Sequence, residues 1–148
     1  MTKLLFVCHG NICRSPMAEF VMKDLVKKAG REQEFEIASA GTSMEELGNP
    51  VYPPVRRILA AHGIGCSGKF ARQMSKNDYD RWDYLICMDR NNLRNMHRIC
   101  GGDPKQKFSL LLDYAGLNRD VSDPYYSGDF DATWQDITVG CAALLEQL

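Results

Sequence analysis

The opening of the chain constrains the fold most, because a short apolar run leads through a turn-forming stretch into a helical pattern. Residues 4–7 are all apolar, as is typical of a buried parallel strand. Ser15 and Pro16 then predict an N-cap and a first-turn proline. Apolar residues follow at helical spacing as far as Gly30, which predicts the end of the helix. A strand, a tight loop and a helix in this order form the first half of a βαβ unit.

The rest of the chain repeats this alternation of strands and helices. Period-two and fully apolar runs predict further strands, and apolar residues at helical spacing predict further helices. Residues 64–82 give no clear pattern. In chain order, the predicted elements are a strand at 35–41, a loop at 42–54, a helix from Val55 to a stop at Gly63, a strand at 84–88, a helix capped by Asp89 that ends at about Ile99, a strand at 108–112 and a helix from Trp134 to the C-terminus.

This alternation predicts an α/β fold with a four-stranded parallel sheet between two layers of helices, a three-layer α/β/α arrangement. The 148 residues are close to the usual size of one compact domain, so we expect a single domain over residues 1–148. Ligands of such sheets bind at the carboxyl ends of the strands. Cys8 lies at that end of the first strand and opens a predicted phosphate-binding loop.

Charge and cysteine usage narrow the function classes. Eighteen basic and nineteen acidic residues leave a net charge of −1, which gives no reason to expect a nucleic-acid or membrane partner. The sequence has no signal peptide and no run of membrane-spanning length, so we expect a cytoplasmic protein with reduced cysteines. Without a Cys-x-x-Cys pair or a Cys/His cluster at zinc spacing, no metal and no cofactor are expected.

The loop after the first strand has the composition of a phosphate site that carries its own nucleophile. Successive backbone N–H groups can curl around an anion, and the dipole of the following helix points at the same place. Arg14 can offer a planar fork to two phosphate oxygens. At such a focus of positive potential, Cys8 is expected to exist largely as a thiolate, with Ser15 donating a hydrogen bond to the sulfur. The whole loop reads Cys8, His9, Gly10, Asn11, Ile12, Cys13, Arg14, Ser15.

Four later stretches accompany the Cys-x5-Arg-Ser-Pro motif of this loop. They are Ser39-Ala40-Gly41-Thr42, Ala71-Arg72-Gln73, Cys87-Met88-Asp89 and Asp123-Pro124-Tyr125-Tyr126. In this order, and over the whole chain, the sequence resembles the low-molecular-weight protein tyrosine phosphatase family. A lone Cys-x5-Arg would be weak evidence, because many chains contain it by chance. The Asp-Pro-Tyr-Tyr element makes the resemblance specific.

The resemblance implies hydrolysis of phosphotyrosine and small aryl phosphates through a cysteinyl-phosphate intermediate. Cys8 would be the nucleophile, Arg14 the phosphate clamp, and Asp123 the general acid and then the general base. A residue before proline favours an extended backbone, which suits the projection of Asp123 from a rigid loop. Tyr125 and Tyr126 would flank the phenyl ring of the substrate. The implied substrate-binding residues are His9, Gly10, Asn11, Ile12, Cys13, Ser15, Tyr125 and Tyr126.

The resemblance also implies supporting residues around the loop. Asn11 and Ser39 would hold the loop in shape, Asn11 with a left-handed backbone. Cys13 would form a reversible disulfide with Cys8 that protects the nucleophile from over-oxidation, although a packing role for Cys13 is an equal alternative. Asp89 is expected to cap a helix, and its position leaves a supporting role near the loop open.

Three positions depart from the family pattern. Lys69 stands where bacterial members often carry a histidine that supports the loop asparagine, so that bond is expected to be lost or remade. His9 stands where an apolar or small residue is frequent, and it either attracts the phosphate dianion or is simply solvated. Glu45 stands where many members place an aromatic residue, which predicts weaker ring stacking on one side.

Three other functions were weighed against the tyrosine phosphatase. A thiol-coupled arsenate reductase needs two further relay cysteines near the third strand, yet Arg94 stands seven residues after Cys87 and Cys100 lies further along. A phosphoarginine phosphatase has threonine at the loop position of Ile12. A non-catalytic phosphopeptide-binding module would not need both a nucleophile and an acid. The expected partner is a phosphotyrosine protein, such as a tyrosine kinase or its substrates, and the expected oligomeric state is a monomer.

Overall fold

A four-stranded parallel sheet is the frame of the protein, whose computed structural model describes residues 1–148. The strands are β1 (Thr2–Cys8), β2 (Phe35–Gly41), β3 (Tyr84–Cys87) and β4 (Phe108–Leu110), and they lie in the order β2-β1-β3-β4. All three neighbouring pairs are parallel. The predicted α/β class and the four-stranded parallel sheet are therefore confirmed.

Six helices connect and cover the strands. They are α1 (Arg14–Lys28), α2 (Pro53–Ala61), α3 (Asn77–Arg81), α4 (Arg90–Cys100), α5 (Pro124–Ser127) and α6 (Phe130–Glu146), with 3-10 turns at Glu32–Glu34 and Leu111–Ala115. None of the helices combines the length and the apolar character needed to cross a membrane.

The side chains of β1 divide the core into two parts, as the two-residue period of a strand requires. Leu4 and Phe6 pack into a larger cluster with apolar residues of α1, α2 and α6. Leu5 and Val7 pack on the opposite face with residues of α3 and α4. All four side chains are fully buried, so both faces of the sheet are covered and the three-layer arrangement is confirmed.

Three details differ from the sequence-based expectations. Ser15 is not the N-cap of α1, because that helix begins at Arg14 and its N-cap, Cys13, makes no side-chain capping bond. The fourth strand ends at Leu110, where the chain turns into a 3-10 helix. The region without a clear pattern contains α3, a five-residue helix too short to leave a periodic signal.

The fold places the end of β1 at the point where the strand order reverses. β2 lies on one side of β1, and β3 and β4 lie on the other, which is the usual site for ligands in open α/β sheets. Cys8 is opposite Gly41 of β2. A Cβ atom on Gly41 would come within 2.7 Å of the His9 carbonyl oxygen. Glycine is therefore required there to let the phosphate loop approach β2.

Candidate active site

The cleft above the end of β1 gathers most of the predicted site residues. Asn11, Ser15 and Ser39 lie buried behind the loop, and Asp89 contacts Arg14. Glu46, which the sequence did not single out, also reaches the cleft. The lining consists of Cys8, His9, Gly10, Ile12, Cys13, Arg14, Glu45, Glu46, Asp123, Tyr125 and Tyr126.

The backbone carbonyls at the start of the loop point toward the segment after β2, so the amides that follow them point in the opposite direction. The carbonyl oxygens of Cys8 and His9 accept hydrogen bonds from the amides of Thr42 and Ser43, at 2.9 and 3.0 Å. In a planar trans peptide the N–H points opposite to the C=O. The amides that follow these carbonyls therefore point toward the other side of the loop. With no side-chain cap on α1, the loop and helix offer donors suited to an anion.

The Cys8 sulfur lies at the base of the cleft and contacts Ser15 twice. Its Sγ is 3.0 Å from the Ser15 hydroxyl oxygen and 3.4 Å from the Ser15 amide nitrogen, which donates to it. Cys8 is 3% exposed. Because Ser15 lies in the first turn of α1, the helix itself delivers two hydrogen-bonding groups to the sulfur.

Asn11 braces the loop from behind. Its backbone has the predicted left-handed conformation, with φ of 61°. Its Nδ2 donates to the Ser15 and Ser39 hydroxyls at 2.8 and 3.0 Å. Its Oδ1 accepts from the Arg72 amide at 3.1 Å. One buried side chain thus ties the loop to α1, β2 and the segment before α3.

A buried ion pair extends this network to Lys69. The Ser39 hydroxyl donates to Glu19 Oε1 at 2.6 Å, and Lys69 Nζ donates to the Ser39 carbonyl at 2.9 Å. Lys69 Nζ is also 3.8 Å from Glu19. Burial lowers the pKa of Lys69, although the Glu19 carboxylate opposes this shift. Lys69 makes no hydrogen bond to Asn11, so the bond that a histidine would supply is lost. Lys69 donates to the Ser39 carbonyl instead, and the Asn11 Oδ1 accepts from the Arg72 amide.

Arg14 is buried at 3% exposure and is held by three oxygen atoms. Its Nη1 donates to Asp89 at 2.9 Å and to the Val121 carbonyl at 3.0 Å, and its Nη2 donates to Asp123 at 3.3 Å. Burial alone would lower the pKa of Arg14, but the charges of Cys8 and of the two aspartates raise it. The guanidinium is thus a fixed cation beside the nucleophile.

Asp89 caps α4, as expected, and also contacts Arg14. One carboxylate oxygen accepts the Asn92 amide at 2.7 Å and caps α4 in a capping box. The other oxygen accepts from Arg14. A helix cap and the orientation of the Arg14 guanidinium therefore depend on the same side chain.

Asp123 projects from a segment that is held along its length. Its backbone is extended, and its Oδ1 accepts the Tyr125 amide at 3.1 Å. The Ser122 carbonyl accepts from Thr133 of α6 at 2.9 Å. Upstream, Arg119 forms a two-point pair with Asp136, with N–O distances of 2.8 and 2.9 Å. These contacts join residues that are far apart in sequence, so no local sequence motif predicts them.

The rim of the cleft is exposed and aromatic on one side. Tyr125 and Tyr126 are 55% and 84% exposed, with ring centroids 5.6 Å apart. On the other side, His9 Nε2 lies 3.1 Å from Glu45 Oε2. The His9 side chain is 43% exposed, and its partner Glu45 is another of the three positions that depart from the family pattern.

The second cysteine of the loop shares the cleft with Cys8. Burial, and then the nearby charge of Cys8, raise the pKa of Cys13 to about 12. All six cysteines are free thiols. The side chains of His, Cys, Asp and Glu form no cluster of three that is arranged to hold a metal ion.

Comparison with known protein families matches residues 3–148 to the model described as low molecular weight phosphotyrosine protein phosphatase. The low molecular weight protein-tyrosine-phosphatase YfkJ of Bacillus subtilis is 41% identical over 150 residues, which cover 100% of this chain and 96% of that protein. The human low molecular weight phosphotyrosine protein phosphatase is 39% identical, with 97% and 94% covered.

Solved structures agree with the sequence comparison. The crystal structure of YfkJ from Bacillus subtilis matches with a TM-score of 0.96 and 42% identity, covering 99% of this chain and 94% of that one. The crystal structure of the Drosophila arginine phosphatase DARP matches with a TM-score of 0.89 and 32% identity, covering 99% and 97%. The names of the sequence relatives confirm the predicted enzyme class. The chain therefore belongs to the low molecular weight phosphotyrosine protein phosphatase family.

Proposed function

We propose that the protein hydrolyses phosphotyrosine in proteins, and small aryl phosphates, through a cysteinyl-phosphate intermediate on Cys8. The observation that carries the proposal is the convergence of a thiol, a fixed cation and a carboxyl group in one cleft. Cys8, Arg14 and Asp123 all line it, and Arg14 lies 3.3 Å from Asp123.

In the first step, the Cys8 thiolate attacks phosphorus and forms an S–P bond while the P–O bond to the phenol breaks. The loop amides and Arg14 neutralise the charge on the equatorial oxygens, a role that depends on positioning rather than on covalent chemistry. Asp123, in its protonated form, gives its proton to the departing phenolic oxygen. Ser15 steadies the sulfur through the two contacts described above.

In the second step, water displaces the sulfur from phosphorus. Asp123, now a carboxylate, takes a proton from the attacking water, which releases inorganic phosphate and restores both the acid and the Cys8 thiolate. The hydrogen bonds from Ser15 stabilise the thiolate as it leaves. The catalytic cycle therefore needs only water and the side chains of this protein to balance its bonds and protons.

The tyrosine preference is supported by the wall of the cleft. Tyr125 and Tyr126 offer aromatic faces to a phenyl ring, and Ile12 lines the loop at the same cleft. The resemblance to a solved Drosophila arginine phosphatase makes phosphoarginine the second candidate substrate. Ile12 favours the first candidate, because it lacks the hydroxyl that threonine would bring.

The arsenate reductase alternative finds no support in the cysteine positions. Cys87 and Cys100 are both buried, and neither lines the cleft. Burial raises the pKa of each thiol. As partners we propose phosphotyrosine proteins, such as a tyrosine kinase or its substrates. We also propose that the protein is a cytoplasmic monomer that binds neither nucleic acid nor a membrane.

Hydrolysis of p-nitrophenyl phosphate and phenyl phosphate tests the proposal. Cys8→Ser should abolish turnover of both. Asp123→Ala should lose roughly 10²–10⁴-fold with phenyl phosphate, whose leaving group needs the proton, and less with p-nitrophenyl phosphate. Cys66→Ser, a half-buried cysteine outside the cleft, is the matched control and should retain activity. A fully active Cys8→Ser protein would overturn the mechanism. Faster release of inorganic phosphate from phosphoarginine than from phosphotyrosine would favour the second candidate substrate.

A further inference from the structure

We propose that Tyr52 is a positioning residue that fixes the aromatic wall of the cleft for the ring of an aryl phosphate. This inference deepens the proposed function and rests on it, because it concerns how the substrate ring is held. Tyr52 does not line the cleft itself, so its effect must pass through the side chain that it contacts.

The backbone of Tyr52 is anchored in both directions. Its amide donates to the Ile12 carbonyl of the phosphate loop at 2.9 Å. Its carbonyl accepts from the amides of Val55 and Arg56 in the first turn of α2, at 2.9 and 3.1 Å. Pro53 follows directly and restricts Tyr52 to the extended conformation that is observed. The base of the ring is thus fixed relative to the phosphate loop.

The ring of Tyr52 links the core to the rim. It is half-buried and stacks on Phe130 of α6, with centroids 6.0 Å apart and planes 23° apart. Phe130 itself packs against the larger core cluster. The other aromatic contact of the Tyr52 ring is with Tyr125, with centroids 5.6 Å apart and planes 55° apart. Tyr52 therefore lies between a fixed aromatic residue and a rim tyrosine.

Tyr125 has one other aromatic neighbour, Tyr126, with ring centroids 5.6 Å apart. Tyr126 is 84% exposed. A half-exposed side chain that is free to change rotamer loses that freedom when it closes on a ligand, which weakens binding. The contact with Tyr52 limits this loss in advance. Its effect should fall on the affinity for the ring and not on the affinity for the phosphate group, which the loop and Arg14 bind.

Calorimetric titration with two ligands separates these effects. Benzylphosphonate carries a ring and a phosphate-like group, whereas inorganic phosphate carries no ring. Tyr52→Ala should raise the Kd for benzylphosphonate roughly 2- to 10-fold, the range expected for one aromatic pair. The Kd for inorganic phosphate should change less than about 2-fold. Tyr52→Phe keeps the ring and should restore the wild-type values.

His62→Ala is the matched control. His62 stacks on Trp134 of α6 with centroids 4.1 Å apart, so the variant also removes an aromatic contact between the α2 region and α6, but one away from the cleft. It should leave both Kd values unchanged. Tyr52→Leu keeps apolar bulk and provides a second test if the alanine variant does not fold.

Two results would overturn the inference. An equal rise in both Kd values would mean that Tyr52 acts through the phosphate loop, and no rise in either would mean that it has no role in binding. Failure of the wild-type protein to bind either ligand would instead count against the proposed function itself. The two failures are therefore distinguishable.

Discussion

The floor and the rim of the cleft are built in different ways. The floor is the loop of residues 8–15, a contiguous segment whose key side chains, Asn11, Arg14 and Ser15, are at most 3% exposed. The rim comes from three segments distant in sequence, and the side chains of Glu45 and Tyr126 are more than two-thirds exposed. In the proposed mechanism, the buried groups of the floor carry out the reaction, and the exposed groups of the rim influence which substrates reach it. Substitutions in the floor should therefore have much larger effects than substitutions in the rim.

Among substitutions that keep both the Cys8 thiol and the Asp123 carboxyl group, the largest effect is expected for Arg14→Lys. Lysine keeps the charge but lacks the planar fork that reaches Asp89, the Val121 carbonyl and Asp123 together. We expect kcat for phenyl phosphate to fall roughly 10²–10³-fold, as for loss of a donor that stabilises transition-state charge. Arg31→Lys, which alters a similar fork on exposed Glu34, is the control. Near-normal kcat in Arg14→Lys would contradict the role of the fork.

The redox role proposed for Cys13 predicts a smaller effect, which appears in the activity recovered after oxidation and reduction. Peroxide should convert Cys8 to a sulfenic acid, and the Cys13 sulfur should then displace hydroxide to form a disulfide that thiols reduce. Oxidation removes the charge of Cys8, which is one of the causes that raise the pKa of Cys13. Cys13→Ser should therefore lose most of the activity that dithiothreitol recovers in the wild type. Equal recovery in both proteins would favour the packing role instead.

Asp78 pairs with Arg72, whose amide supports Asn11 in the floor. This pairing predicts a pH dependence of the stability of the folded protein. Burial opposes its ionisation, but hydrogen bonds from Arg72, Ser75 and Trp82 prevail and lower the pKa of Asp78 below 3.8. Since the folded pKa is below the unfolded one, the stabilisation is present above about pH 4 and is lost as pH falls through the folded pKa.

Thermal unfolding at pH 7 and pH 3 measures this contribution. Asp78→Asn should lower Tm at pH 7 and reduce the further loss between the two pH values. Asp80→Asn, on the same helix with an 83% exposed side chain, should behave like the wild type. An unchanged pH dependence in Asp78→Asn would rule out this contribution.

The smallest effect is expected at the rim, for Glu45→Gln. The His9–Glu45 pair is exposed, and such pairs contribute little. Removing a negative charge beside the entering dianion should raise kcat/KM for phenyl phosphate by less than about 5-fold. Glu32→Gln, an exposed change away from the cleft, controls for net charge. A loss as large as that of Arg14→Lys would erase the distinction between floor and rim.

The floor could be predicted from sequence because its information is local. A strand, a turn-forming stretch and a helix within one segment specify the position of Cys8, and the left-handed backbone of Asn11 follows from residue type. Ser15 contacts the Cys8 sulfur as predicted, but the prediction that it also caps α1 is wrong. In the proposed mechanism the first amides of α1 bind the phosphate, which agrees with the absence of a side-chain cap at that end of the helix.

The rim could not be predicted in the same way, because its contacts join distant segments. The pairing of His9 with Glu45 spans 36 residues, and each residue alone suggested a different role. The floor has a contact of the same kind, the hydrogen bond from Arg14 to the Val121 carbonyl over 107 residues, and local sequence did not predict it either. Tyr52 belongs to no motif, and its contact with Tyr125 of α5 appears only in the tertiary structure. Such positions follow from tertiary packing, which single-sequence periodicity does not encode.

The covalent intermediate on Cys8 is the central claim, and acid-quenched trapping followed by peptide mass spectrometry tests it most directly. Asp123→Ala is the protein of choice, because without the general base the intermediate should accumulate. After brief exposure to p-nitrophenyl phosphate, the peptide that contains Cys8 should carry one phosphoryl group, and the same peptide from Cys8→Ser should carry none. A phosphoryl group on any other residue, or turnover with no phosphoryl-enzyme at all, would contradict the account.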